Sequence, residues 1–233
     1  MNFSLFRSML KTNIRMFFGY AFGSAVYLLL CIWIYPMIAD ADILNQMLEK
    51  MPENFLGAFG LEKGIQGLNG FLAGEYYGLI FVLILMIYCV LTATQLIARL
   101  VDRGSMAYLL ATPASRTRVA FTQAALLVFG LALAAGFTVV AGMLGASWLI
   151  DGSAFDAAGF LKINLIGFLL FFMISGYAFL FSCLFNDEKQ ALGVSGVFTV
   201  LFFMANLAAN ITDKLDWLHR FTPFATFQPS DIS

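Results

Sequence analysis

The chain has 233 residues, of which 61% are hydrophobic and 12% charged, with a formal net charge of −1 and a mean hydropathy of +0.86. Soluble domains carry about 25% charged residues, and a folded chain of this size hides only about 70% of the surface it exposes when unfolded. A soluble enzyme, a nucleic-acid binder and a disordered protein are therefore excluded as readings of the whole chain.

Residues 2–15, NFSLFRSMLKTNIR, place Phe3, Phe6, Leu10 and Ile14 on one helical face and Arg7, Lys11 and Arg15 on another. This pattern predicts a short basic amphipathic helix suited to an anionic membrane surface, continuous with the start of the first span. Met16 to Ala39 then runs 24 residues without Asp, Glu, Lys or Arg. It ends in Trp33, Tyr35 and Pro36 and exceeds the apolar core of a cleavable signal, so it reads as a spanning anchor. Gly19-x-x-x-Gly23 and Gly74-x-x-x-Gly78 are spacings that let helices approach closely.

The loop 39–75 contains ILNQMLEKMPENFLGAFG and predicts a helix along the membrane interface, with a re-entrant segment as the alternative. Glu75, Tyr76 and Tyr77 suit the interface at its end. Further charge-free windows follow: 23 residues at Tyr76–Ala98, 32 at Val119–Ile150, 24 at Ile163–Asn186 and 23 at Gln190–Thr212. Each exceeds the roughly 20 residues needed to cross about 30 Å of hydrocarbon. The expectation is an all-α polytopic membrane protein with five spans, at about 16–38, 76–98, 121–149, 163–186 and 190–211. Beyond them, Asp213 to Ser233 is too polar to span and reads as a partly inserted helix–turn segment.

The loops divide the charge. The N-terminus, 99–118 and 187–189 carry eight basic against three acidic residues, a balance of +5. The opposite loops carry five basic against eleven acidic residues, a balance of −6. Because Lys and Arg are retained in the cytoplasm, the first side and the N-terminus are predicted to be cytoplasmic.

The chain lacks a Gly-x-x-x-x-Gly-Lys-Ser/Thr run, so it binds no ATP by that route. With one histidine, His219, it offers no Ser-His-Asp triad or multi-His metal site. Cys31, Cys89 and Cys183 fall at different depths in predicted spans and read as small apolar residues. No catalytic, cofactor-binding or metal residue is assigned. Gln95, Asn164, Asn206 and Asn210 are polar positions that either line a substrate path or hydrogen-bond between helices; Asn206 and Asn210 share a face.

The segment ARLVDRGSMAYLLATPASRTRVAFTQ, residues 98–123, holds the most specific pattern. Gly104 and Pro113 bound a short apolar helix flanked by Arg103, Arg116 and Arg118. Such a helix is suited to be pushed by a cytosolic partner, or the segment is a basic loop that fixes topology.

GSMAYLLATPASRTRV resembles the Gly-Ser/Thr-Met/Leu-x-x-Leu-Leu-x-x-Pro-x-x-Arg segment after the second span of ABC-2-type transporter permeases. MPENFLGAFG resembles the outer stretch between their first two spans. SCLFNDEKQALGVSGV, followed by RFTPFATF, is similar to their tight turn between the fourth and fifth spans and the aromatic-Pro-Phe segment after it. Order and spacing agree over essentially the whole chain, so the resemblance implies one permease domain over 1–233. It implies a multi-pass membrane subunit of an ATP-driven exporter in a bacterial or archaeal plasma membrane. A second permease copy or paralogue would pair with it, and cytosolic ATPase subunits would carry ATP and Mg. The resemblance also implies a coupling segment at 99–118, with Asp102 as the acidic residue before Gly104. Arg103, Met106, Tyr108, Leu109, Leu110, Pro113, Arg116 and Arg118 complete the docking surface. Family members have six spans, and the sequence ends before a sixth. A non-transporting scaffold, an immunity-type protein or a degenerate permease is the competing expectation. An intramembrane enzyme or a lone channel fits the residue content least.

Overall fold

A computed structural model of the chain describes residues 3–39, 67–111, 115–149, 155–211 and 213–229. Among these residues the fold is entirely helical. Five helices are long and apolar enough to cross a membrane: Phe3–Met37, Leu68–Asp102, Arg116–Leu149, Ala157–Leu184 and Glu188–Ile211. They are called the first to fifth spans below. The five charge-free windows each fall on one of them. Within hydrocarbon a helix satisfies every backbone group by itself, which is why long apolar windows read so directly as helices.

The helices outrun the windows, because the backbone continues past the apolar stretch into its polar flanks. The first helix, Phe3–Ala39, has 37 residues and is about 55 Å long. The basic segment 3–15 is thus not a separate helix lying in the membrane plane. Its apolar side packs inward: Phe6 meets Phe129 edge-on with ring centroids 5.9 Å apart, and Met9 and Leu10 rest against the core. A packing surface on the third span takes those side chains away from lipid. The second span starts about two turns before residue 76. The third starts at Arg116 rather than 121, so Arg116 and Arg118 belong to its first turn and not to the loop.

Local caps set several helix starts. The Ser115 hydroxyl accepts from Arg118 N–H at 3.3 Å, Asp156 Oδ1 accepts from Ala158 N–H at 3.0 Å, and Asp187 Oδ1 accepts from Gln190 N–H at 2.8 Å. Each satisfies one of the amide donors that a helix start leaves open.

The second span lies at the centre. It packs against the first, third, fourth and fifth, while the first pairs most extensively with the third and the fourth bridges the third and fifth. Lipid tails are as apolar as leucine, so close packing and polar contacts must hold such helices together. Bulky rings sink onto glycines of neighbouring spans. A Cβ at Gly142 would fall within the Phe160 ring, and one at Gly167 would meet Phe81 at 2.8 Å and Phe227 at 3.2 Å. The Gly19-x-x-x-Gly23 pair does not work this way here. Both glycines are exposed and a Cβ at either meets nothing within 4 Å.

After the fifth span the chain turns back on the bundle as two short 3-10 helices, Asp213–Arg220 and Pro223–Thr226. Thr222 Oγ1 donates to Phe202 O at 2.9 Å, and Phe224 meets Phe203 with centroids 5.5 Å apart. Phe227 stacks on Phe81 at 6.1 Å. The expected partly inserted segment is therefore present, and its aromatic side chains complete the core. The helix or re-entrant segment expected within 39–75 falls mostly on residues outside those described.

Candidate functional site

Two regions of the second span carry polar or exposed features that packing alone does not require. They lie at its opposite ends. One faces the basic loops and is called the basic end; the other is called the acidic end.

At the basic end the helix breaks at Ile97, whose backbone leaves helical geometry at φ −126° and ψ −70°. The freed amide of Ala98 donates to Ser182 Oγ at 3.0 Å, in the fourth span. Arg99 Nε lies 3.7 Å from Glu188 Oε1, at the start of the fifth. Ala98 is fully buried. The short helix Ala98–Asp102 is thereby tied to the turn between the fourth and fifth spans. Gly104 follows with φ +70°, in the left-handed region that glycine adopts without steric cost. This reverses the chain into the helix Ser105–Leu110, which buries none of its residues completely.

The docking residues expected from sequence gather here. Asp102, Arg103 and Gly104 are exposed, as are Arg116 and Arg118 across the connection. Tyr108 is 82% exposed, while Met106, Leu109 and Leu110 are half-buried. Pro113 lies outside the described residues. A large aromatic side chain held out on a one-and-a-half-turn helix, with arginines on both flanks, is a surface shaped for a protein partner.

The acidic end is closed. Residues Ala73–Ile80 form a π-helix, in which Phe81 N–H reaches back five residues to Tyr76 O. The wider turn sends two consecutive tyrosines into the core, and π segments of this kind cluster at functional positions. Tyr76 and Tyr77 are both 0% exposed, which overturns their expected place at the interface. The physical reason is that each hydroxyl finds a partner inside. Tyr76 lies 2.6 Å from Ser24 Oγ and 3.4 Å from Thr138 Oγ1, joining the first, second and third spans. Tyr77 OH accepts from Asn164 Nδ2 at 2.7 Å, joining the second and fourth. Glu75 alone of the three is exposed, and Tyr27 OH donates to its Oε1 at 3.3 Å.

The four polar positions singled out in the spans do not form one cluster. Gln95 is half-buried near the basic end. Asn164 bridges spans near the other end. Asn206 is buried and Asn210 half-buried on the fifth span. Between the two ends, Tyr88 OH donates to Leu127 O at 2.6 Å, Ser175 Oγ to Cys89 Sγ at 3.2 Å, and Tyr177 lies 2.7 Å from Thr199 Oγ1. Cys31, Cys89 and Cys183 are free.

Sequence reasoning weighed the amides and passed over Ser24, Thr138, Ser182, Tyr76 and Tyr77. Hydroxyl groups in helices are ambiguous, because many bond to their own backbone. Thr94 donates to Val90 O at 2.9 Å and Thr199 to Ser195 O at 2.7 Å. The available signal was the adjacent Tyr-Tyr pair beside small residues, but periodicity does not show that a π turn points both inward.

A family model for the ABC-2 family transporter protein matches residues 13–227, nearly the whole chain and both regions just described. The chain belongs to that family. No curated protein and no solved structure matches it.

Proposed function

We propose that this ABC-2 family chain is the permease subunit of an ATP-binding cassette exporter and that its Ser105–Leu110 helix is where the ATPase docks. That it is a multi-pass membrane component of an ABC transporter, non-catalytic in itself and belonging to a family that associates with ABC ATPases, follows from its family and its five spans. The finer reading rests on one observation: Tyr108, 82% exposed, is held out at the basic end between Arg103 and Arg116.

On this reading the basic end faces the cytoplasm of a bacterial or archaeal cell, with the N-terminus on the same side. ATP and Mg bind to the partner ATPase, not to this chain. A second copy or a paralogue completes the substrate path. The mechanical logic follows from the contacts at Ile97. A push on Ser105–Leu110 is carried by the Ala98–Asp102 helix into Ser182 and Glu188, and so into the fourth and fifth spans as well as the second.

The test is co-purification with an ATPase encoded beside the gene, followed by turnover measurements in proteoliposomes. Tyr108→Ala and Arg116→Glu are expected to weaken ATPase capture and to abolish membrane-stimulated turnover. Unchanged capture and turnover in both variants would show that this helix is not the docking element. Inside-out vesicles that accumulate substrate on ATP addition support export, because their lumen corresponds to the cell exterior.

A further inference from the structure

Asn164 has a feature that bundle packing leaves unexplained. The residue is 3% exposed. Its Nδ2 donates to Phe160 O at 2.9 Å and to Tyr77 OH at 2.7 Å. The Phe160 carbonyl only accepts, so the amide orientation is pinned, and Oδ1 must point the other way. Oδ1 is buried and has no hydrogen-bond partner. A buried acceptor without a donor costs about 1–3 kcal/mol, and hydrocarbon supplies no water to relieve it.

Asn164 is also part of the wall of a groove between the third and fourth spans, of about 330 Å³. The third span contributes Ala132, Ala135 and Gly136; the fourth adds Leu165 and Phe168. No charged side chain lines it. Its volume lies at the small end of the range for ligand sites. A Cβ on Gly136 would meet nothing within 4 Å, so the floor there is open space and not a helix contact.

We infer that this groove binds a neutral lipid alcohol, whose hydroxyl donates to Asn164 Oδ1 while its chain lies along Gly136 and Ala132. Depth supports the hydroxyl. Asn164 is seven residues into a helix that starts at Ala157, about 10 Å along its axis. The interfacial region is about 5–8 Å thick on each side, so Asn164 sits just beneath it, where lipid hydroxyls lie. Charge supports neutrality. A lone carbonyl acceptor attracts a donor and repels phosphate or carboxylate oxygen, and the groove offers no cation to offset that repulsion. The inference does not depend on export or on ATPase docking.

The test uses the full chain in phosphatidylcholine nanodiscs and three probes: a diazirine-bearing long-chain alcohol, its methyl ether and the matching carboxylate. Photolabelling is read by mass spectrometry of peptides from the third and fourth spans. The alcohol is expected to label those holding Gly136 and Leu165 about fivefold more than the ether, the ratio that one net hydrogen bond of about 1 kcal/mol confers. The carboxylate should label no better than the ether. Gly136→Leu fills the groove without touching the bundle and should remove the labelling. Asn164→Leu should equalise alcohol and ether. If that variant does not fold, Gly136→Leu and the probe ratio still decide. Equal labelling by alcohol and ether in the unaltered chain overturns the inference. So does labelling that survives Gly136→Leu, or labelling that appears only when a second copy is diluted away, which would make the groove a protein contact.

Discussion

The two ends of the second span are built from similar material and do opposite things. Each carries small residues and aromatic or polar side chains where the apolar run gives out. At the acidic end the chain widens into a π turn, and Tyr76 and Tyr77 disappear into the core with their hydroxyls satisfied. At the basic end the chain breaks at Ile97, reverses at Gly104 and holds Tyr108 out. A tyrosine follows its hydroxyl. Where three neighbouring spans offer partners it is buried, and where the helix has left the bundle it is displayed. The acidic end is therefore the fixed end of the span, and the basic end is the one available to a partner.

The comparison is sharpest when thermal stability in detergent is set against partner binding. Gly167→Val should have the largest effect on stability. Its side chain would enter the space of Phe81 and Phe227, and overpacking of this kind costs about 1–3 kcal/mol. The melting temperature is expected to fall by about 5 °C or more. A melting curve identical to the parent would mean that the acidic end is loosely packed.

Tyr77→Phe should cost less. It removes the hydroxyl partner of Asn164 and keeps the ring among Tyr76, Phe81 and Phe227. About 1 kcal/mol is expected, read as a small drop in melting temperature. A larger loss than Gly167→Val would place the weight of this end on the hydrogen bond and not on the rings.

Glu188→Gln ranks third. The Arg99–Glu188 pair is partly exposed, with relative exposures of 35% and 28%, and such pairs contribute about 0–1 kcal/mol. The parent and variant melting curves should converge at high salt, because ions screen an exposed pair. A difference that persists in high salt would indicate a packing role.

Tyr108→Ala should be the smallest of all, within about 0.5 kcal/mol of the parent in stability. It is nevertheless expected to be the most damaging of the four to ATPase capture. A marked loss of stability instead would identify Tyr108 as part of the fold.

Much of this architecture was legible in the sequence because the bilayer imposes it. Five charge-free windows correspond to five spans, and the short helix between Gly104 and Pro113 is visible from its two punctuating residues. Less legible was which spans touch which. The second span's most apolar window is 67% buried and the fifth's 28%, yet both are uniformly apolar. In hydrocarbon an exposed face and a packed face have the same composition, so polarity no longer marks burial. The same ambiguity covers Gly19 and Gly23, which carry a packing motif and face open space, and Gly142, which carries no recognisable motif and receives the Phe160 ring.

Composition and spacing alone thus determined that this is an all-helical, multi-pass membrane chain of five spans, with its charge separated between the two ends and a Gly/Pro-bounded helix on the basic one. These follow from the cost of placing charge and unpaired backbone in hydrocarbon, which every stretch of sequence reports locally. Tertiary structure alone decided that the second span is central, that Tyr76 and Tyr77 are buried, that Ala98 and Arg99 tie the short helix to the fourth and fifth spans, and that Asn164 borders a groove. Those depend on which helix faces meet, and only a π turn, a glycine under a ring and hydroxyls pairing across spans settle that.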